Sequence, residues 1–319
     1  MRRVGPAPPA KILIGTSGWS FRDWIGPFYP PGTDRSQMLD YYAREFHAVE
    51  VNSTYYRIPH PRTFEAIQKK TPPGFEFVVK AHHDMTHMRS RDPQLYKDFA
   101  RSIQPLRESG KLTGILAQFP YAFRRTPENE EYLRQLKDLL GGDEPVFVEF
   151  RHRSWMDEDV FRDLGKEELG YVSVDEPDLP GLVPPVARTT GPIGYVRFHG
   201  RNKEKWWAER DRGAPDRGKS TGEKAAGART AAGPVPGDLG PLFSGTADRP
   251  AEAPQQPRTS STRYDYSYSE EELKEWVEKI REMTNQAKKT FVFFNNCHVG
   301  QAATSAKLMR KLLEGEGML

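Results

Sequence analysis

Short β-branched runs in this sequence carry acidic and basic groups at alternate positions. Glu50 lies in Val49-Glu50-Val51-Asn52, Lys80 closes Phe77-Val78-Val79-Lys80, and Glu149 and Arg151 share Val148-Glu149-Phe150-Arg151. Asp175 follows Ser173-Val174, and Arg197 and His199 alternate through Tyr195-Val196-Arg197-Phe198-His199. Glutamates from two separate segments suit a general acid and base pair. A nearby Lys80 or Arg197 would lower one carboxyl's pKa and burial would raise the other's. Two carboxylates at one mouth would serve glycoside or related hydrolysis; in the plainer reading each simply pairs with Arg151 or Arg197. A desolvated Lys80 is a Schiff-base amine, and a solvated one is an ordinary ion-pair partner. Arg151, Arg197 and Arg201 offer bidentate contacts to a phosphate or carboxylate.

The catalytic candidates are therefore Glu50, Glu149, Lys80, Asp175 and His199. The ligand-binding candidates are Ser17, Trp19, Asn52, Gln118, Arg151, Arg197, Asn295 and Asn296. Three other clusters carry less. His82, His83, Asp84 and His87 look metal-like, but adjacent histidines on an extended chain face opposite ways, so no metal site is assigned. Cys297-His298 resembles a thiol and base only in composition, because chain neighbours seldom reach triad geometry. Trp206-Trp207 beside Arg201, Lys203 and Lys205 interleaves rings and cations, which suits a nucleic-acid strand.

These groups need a scaffold that brings distant segments together. The chain has 319 residues, 36% of them hydrophobic and 29% charged, with 47 Lys plus Arg against 44 Asp plus Glu. A net charge of +3 is too small for wholesale nucleic-acid binding. One cysteine excludes an internal disulfide framework and makes a reducing, cytoplasmic setting the expectation. No apolar run approaches the roughly 18 residues of a membrane helix, so no membrane partner is expected. Residues 208–262 are mostly Gly, Pro, Ala, Ser, Thr and mixed charges, a composition that predicts a disordered insertion. Setting it aside leaves close to the roughly 250 residues of a single (β/α)₈ barrel.

Apolar runs at 12–17, 48–54, 75–81, 114–119, 146–151, 171–175, 194–199 and 290–296 read as strands. Segments with helical spacing lie between them at 37–46, 62–70, 95–108, 129–140, 158–164, 270–284 and 302–313. Only the stretch 177–192 looks non-helical. Strand and helix in alternation, with right-handed crossovers, predict one TIM (β/α)₈ barrel over 1–319, with the insertion after strand 7. A doubly wound sheet lacks its Gly-x-Gly-x-x-Gly turn here. Pleat alternation then sends Val49, Val79, Val148, Val172, Val174 and Val196 toward the helices. It leaves Glu50, Asn52, Lys80, Gln118, Glu149, Arg151, Ser173, Asp175, Arg197 and His199 on the barrel axis, with the register of Asn295-Asn296 undetermined.

Several long motifs resemble the YecE-like family, domain-of-unknown-function family 72. They are Ile14-Gly15-Thr16-Ser17-Gly18-Trp19-Ser20-Phe21, Val49-Glu50-Val51-Asn52-Ser53-Thr54-Tyr55-Tyr56-Arg57, Tyr195-Val196-Arg197-Phe198-His199-Gly200-Arg201, Arg263-Tyr264-Asp265-Tyr266 and Phe293-Phe294-Asn295-Asn296. The resemblance implies a TIM barrel and assigns no reaction, cofactor or catalytic residue. Residue chemistry adds the expectation of a small anionic, sugar- or nucleotide-like ligand at the C-terminal barrel face, with acid/base chemistry that leaves hydrolase and isomerase open. The alternative is a nucleic-acid-binding module built on the same arginines and tryptophans.

Overall fold

The computed structural model describes residues 11–207 and 262–319. The insertion expected at 208–262 lies outside them except for Thr262, which opens the 3-10 turn Thr262–Tyr264. The strands run β1 Lys11–Ser17, β2 Ala48–Val51, β3 Glu76–Lys80, β4 Leu112–Gln118, β5 Val146–Glu149, β6 Leu169–Tyr171, β7 Ser173–Asp175, β8 Ile193–Phe198 and β9 Lys289–Phe294. All their pairings are parallel, in the order β6-β5-β4-β3-β2-β1-β9-β8-β7.

The two ends of that order meet in the chain itself. Only Val172 separates β6, which pairs with β5, from β7, which pairs with β8, and its N–H donates to Val148 O at 2.9 Å. The two segments are one stave that changes partners, and the sheet comes round as a nearly closed, eight-stave TIM barrel.

Helices α1 Met38–Glu45, α2 Pro61–Lys69, α4 Pro93–Glu108, α5 Pro127–Leu140, α6 Glu158–Lys166, α7 Glu270–Gln286 and α8 Gln301–Gly315 fill the connections, and α3 His83–Thr86 is a single turn. Their ends follow local chemistry. Thr126 caps α5 by accepting from Asn129 N, Pro127 occupies its first turn, and Gly141 ends it in the left-handed conformation. Ser269 and Glu272 form the capping box expected at the start of α7. No helix lies between β7 and β8, in keeping with the irregular crossover expected there.

The interior is layered along the barrel axis. At the N-terminal end Glu76 Oε2 accepts from Lys289 Nζ at 2.6 Å and from Thr113 Oγ1 at 2.8 Å, while Lys11 Nζ reaches Oε1 at 3.3 Å. Above this floor Phe147, Tyr195, Phe291 and Phe293 pack with ring centroids 4.9–5.8 Å from Tyr195. Close packing of these rings depends on missing side chains. A Cβ on Gly15 would sit 2.2 Å from Ala48 O and 3.0 Å from the Phe293 ring. A second polar layer gathers above the rings, at the strands' C-terminal ends.

One stave presents the face opposite to expectation. Gly170 abuts the Phe147 ring, so the residues that follow inward are Val172, Val174 and Glu176. Ser173 and Asp175 face the helix layer instead: Ser173 Oγ lies 3.9 Å from Met283 Sδ, and Asp175 Oδ2 accepts from Trp276 Nε1 at 2.7 Å. Alternation failed here because the barrel's lower interior is as apolar as the interface with the helices, so Val172 and Val174 carry no directional information.

Candidate functional site

Arg197, near the end of β8, is the centre of the polar layer. Its Nη1 donates to Glu149 Oε2 and its Nη2 to Glu50 Oε1, both at 2.5 Å. Tyr195, two residues earlier on the same face, donates its hydroxyl to Glu50 Oε2 at 2.5 Å. The other Glu149 oxygen lies 2.7 Å from Arg151 Nε and 3.2 Å from His199 Nε2. Arg151 Nη1 continues to Glu176 Oε2 at 2.8 Å, and Glu176 Oε1 accepts from Val183 N at 3.2 Å. Glu50, Glu149, Glu176, Arg151, Arg197 and His199 are all buried.

Burial and neighbours set the protonation of this layer. Burial works against the Glu149 carboxylate, but the Arg197 and Arg151 guanidiniums overcome it and hold Glu149 well below the ordinary glutamate range. Glu176 has only Arg151 beside it, and burial together with the nearby Glu149 raises it to about 7. Burial and the Arg151 charge hold His199 well below its ordinary value, so its ring is neutral. Lys80 is lowered to about 7 by burial and by Arg197.

Above the network lies a cavity of about 60 Å³, lined by Ser17, Phe21, Asn52, Tyr56, Lys80, Gln118, Arg151, Arg197, Tyr264, Asn295 and Cys297. Most of these come from strand ends or the positions just after them, where TIM barrels place their chemistry. Lys80 Nζ donates to Gln118 Oε1 at 2.8 Å and sits 4.3 Å from the centroid of the Tyr55 ring. Asn295 Nδ2 lies 3.1 Å from His199 Nδ1. Asn52 Oδ1 and Arg197 Nε are buried without a hydrogen-bond partner among the described residues.

The barrel thus brings together Ser17, Asn52, Lys80, Gln118, Arg151, Arg197 and Asn295 around one cavity, with Glu50, Glu149 and His199 immediately behind it. Three candidates lie elsewhere. Asp175 is held on the outer face by Arg201 at 2.7 Å, Tyr268 at 2.7 Å and Trp276, away from the cavity. Asn296 points away from the cavity, donating to Tyr266 O at 2.8 Å, because successive residues face opposite ways and Asn295 takes the inner position. Trp19 is buried beside a separate small cleft that it shares with Ser20, Val51 and Asn52.

The side clusters resolve into local packing. His82 Nδ1 accepts from Asp84 N as the cap of α3, His83 stacks on His87 at 4.8 Å, and His87 Nε2 lies 3.0 Å from Tyr55 Oη. Trp206 is buried against Arg151 and Arg263, and Arg201 is paired with Asp175 and Glu275. Sequence reasoning missed Glu176 and Tyr264. The first is the residue after the misassigned stave; the second stands in the motif Arg263-Tyr264-Asp265-Tyr266.

Fold and site together define a nearly closed parallel barrel with an ion-paired layer beneath a polar mouth. The family model described as "Protein of unknown function DUF72" matches residues 13–318, and the chain belongs to that family. It is 34% identical over 317 residues to the UPF0759 protein YunF of Bacillus subtilis (strain 168), covering 96% of this chain and 95% of YunF. It is 28% identical over 144 residues to the UPF0759 protein YecE of Escherichia coli (strain K12), covering 44% of this chain and 48% of YecE. A crystal structure of a DUF72 family protein from Thermotoga maritima MSB8 is similar at 37% identity and a TM-score of 0.74, covering 95% of this chain and 99% of that one. One from Enterococcus faecalis V583 is similar at 26% identity and a TM-score of 0.71, covering 95% of each chain.

Proposed function

We propose that the barrel mouth binds a small anionic ligand, such as inorganic phosphate or the phosphate or carboxylate of a small hydroxylated metabolite. The observation that carries this reading is the sign of the lining charge. The charged residues that line the cavity, Lys80, Arg151 and Arg197, are all cationic. The glutamates lie behind them, with Glu50 and Glu149 both bound by Arg197. Backing carboxylates hold the guanidiniums in place, and the low-dielectric surroundings strengthen their field in the mouth. Asn52 Oδ1, an acceptor left unpaired, calls for a ligand donor and favours a hydroxylated molecule.

Acid/base work at this mouth falls to Lys80, because all four oxygens of Glu50 and Glu149 already face Arg197, Tyr195, Arg151 or His199. This moves the reading away from a two-carboxylate hydrolase and toward proton transfer by an amine. A single buried, unpaired thiol at Cys297 fits a reducing compartment, and the cytoplasm is the proposed location. No helix among the described residues is long and apolar enough to cross a membrane.

Thermal shift tests the reading. Phosphate, phosphorylated sugars and small organic acids should raise the melting temperature in proportion to ln(1 + [L]/Kd), and their neutral counterparts should not. Lys80→Met and Asn52→Leu should weaken the response. Equal stabilisation by neutral compounds, or stabilisation by single-stranded oligonucleotides alone, would remove the proposal.

A further inference from the structure

Lys80 is the one residue in this mouth whose chemistry goes beyond holding an anion. It lines the cavity together with Arg151 and Arg197, yet no carboxylate among the described residues forms a salt bridge with it. Its only hydrogen-bond partner there is the neutral amide oxygen of Gln118, and its other close neighbour is the Tyr55 ring. The other lysines of the interior have fuller sets of partners: Lys289 is paired with Glu76 at the opposite end of the barrel, and Lys111 donates to Gln68 O, Thr71 O and Thr71 Oγ1. At Lys80 burial disfavours the charged form and the Arg197 guanidinium repels it further, which keeps a fraction of the amine neutral near neutral pH.

We propose that Lys80 is a catalytic residue that forms an imine with a small anionic aldehyde or ketone, its anionic group held by Arg151 and Arg197. The inference rests on the anion-binding reading above and names its substrate class: oxo acids or phosphorylated carbonyl compounds. In the step, the Nζ lone pair adds to the carbonyl carbon, forming the C–N bond as the C=O π pair moves to oxygen. Of the three hydrogens on the ammonium, one stays on nitrogen and two leave with the oxygen as water. The product is a protonated imine carrying the charge the ammonium carried, and no oxidant or reductant is consumed.

Reductive trapping decides the matter. The full chain is incubated at pH 7 with glyoxylate, pyruvate, dihydroxyacetone phosphate or glyceraldehyde in separate arms, with cyanoborohydride supplying hydride to any imine. Adducts are then mapped by peptide mass spectrometry. Expected is an adduct at Lys80 at least tenfold above that at any exposed lysine, formed by the oxo-acid or the phosphorylated arm, suppressed by inorganic phosphate and abolished in urea. The wild-type map suffices, so the result does not depend on Lys80→Met or Lys80→Arg folding. Adducts spread evenly over the lysines would overturn the proposal. If phosphate still raised the melting temperature in that case, the anion-binding reading would stand alone. Trapping of glyceraldehyde as fast as of its charged counterparts, without competition by phosphate, would overturn the anionic substrate class and the anion reading with it.

Discussion

Arg197 Nη1 lies 2.5 Å from Glu149 Oε2, joining β8 to β5 across the barrel interior, and both side chains are almost wholly out of water. The same guanidinium reaches Glu50 on β2. One cation therefore ties three staves together beneath the mouth. Removing it takes the guanidinium from two buried carboxylates, leaving Glu149 with Arg151 and His199 and Glu50 with the Tyr195 hydroxyl, so that much of their desolvation is no longer offset. Arg197→Met should lower unfolding free energy by about 3–5 kcal/mol, the range for breaking one side of a buried pair. Equilibrium urea denaturation measures this, and a loss below 1 kcal/mol would show that the network is a spectator.

Glu176 and Lys80 should leave opposite marks on the pH dependence of stability. Glu176 is raised to about 7 in the fold, so between the ordinary glutamate value and 7 the native state holds a proton that the unfolded chain has released. Its contribution to stability therefore falls as pH rises through that window. Lys80 is lowered to about 7, so between 7 and the ordinary lysine value the unfolded chain holds the extra proton, and this contribution rises with pH. His199 and His87, both lowered by burial, act against Glu176 in the acid window, so the signal lies in differences between proteins. Wild type minus Glu176→Gln should show stability declining from pH 5 to 7, and wild type minus Lys80→Met should show it climbing from pH 7 to 10. Flat difference curves would contradict the protonation scheme.

Asp175 and Glu176 are adjacent, yet one faces the helices and the other faces Arg151. Their substitutions should separate stability from ligand response. Asp175→Asn weakens the contacts with Arg201, Tyr268 and Trp276 and should cost about 1–3 kcal/mol, with the anion-induced thermal shift unchanged. Glu176→Gln frees Arg151 from a charged partner and should alter the shift induced by phosphate. If Asp175→Asn abolished the phosphate response while remaining folded, the outward assignment of this stave would be refuted.

The fold was readable because its signals are local and repeated. Strand runs bounded by capped helices recur along the chain, and the Ser269 to Glu272 box forms as its spacing predicts. The site was readable wherever a polar residue alternates with obligately outward ones, as for Glu50, Lys80 and Arg197. It was not readable where both faces are apolar, which is why Val172 and Val174 misplaced Asp175 and hid Glu176. Pairing was also beyond alternation. A period of two says that Glu50 and Glu149 face inward, but not that one guanidinium engages both. Nor does it show that Lys80, plainer as an ion-pair partner, meets an amide and a ring.

Cys297 offers a chemical probe of the mouth. The residue lines the cavity, its Sγ lies 3.4 Å from Ser17 O, and burial, with Glu50 and Asp23 adding to it, pushes the thiol's pKa well above the ordinary value. The reactive thiolate is therefore scarce in the native state at neutral pH, whatever the access through the cavity. Alkylation by iodoacetamide at pH 8 should run at least a hundredfold slower than in urea, and raising the pH to 9 should speed the native reaction by about tenfold, against roughly threefold for a free thiol already near its pKa of about 8.5. Because the thiol shares its cavity with Lys80 and Arg197, phosphate that enters the mouth should slow the residual reaction further. Rapid native labelling, insensitive to both denaturant and phosphate, would mean that the wall carrying Cys297 and Ser17 is open to solvent rather than closed against the barrel.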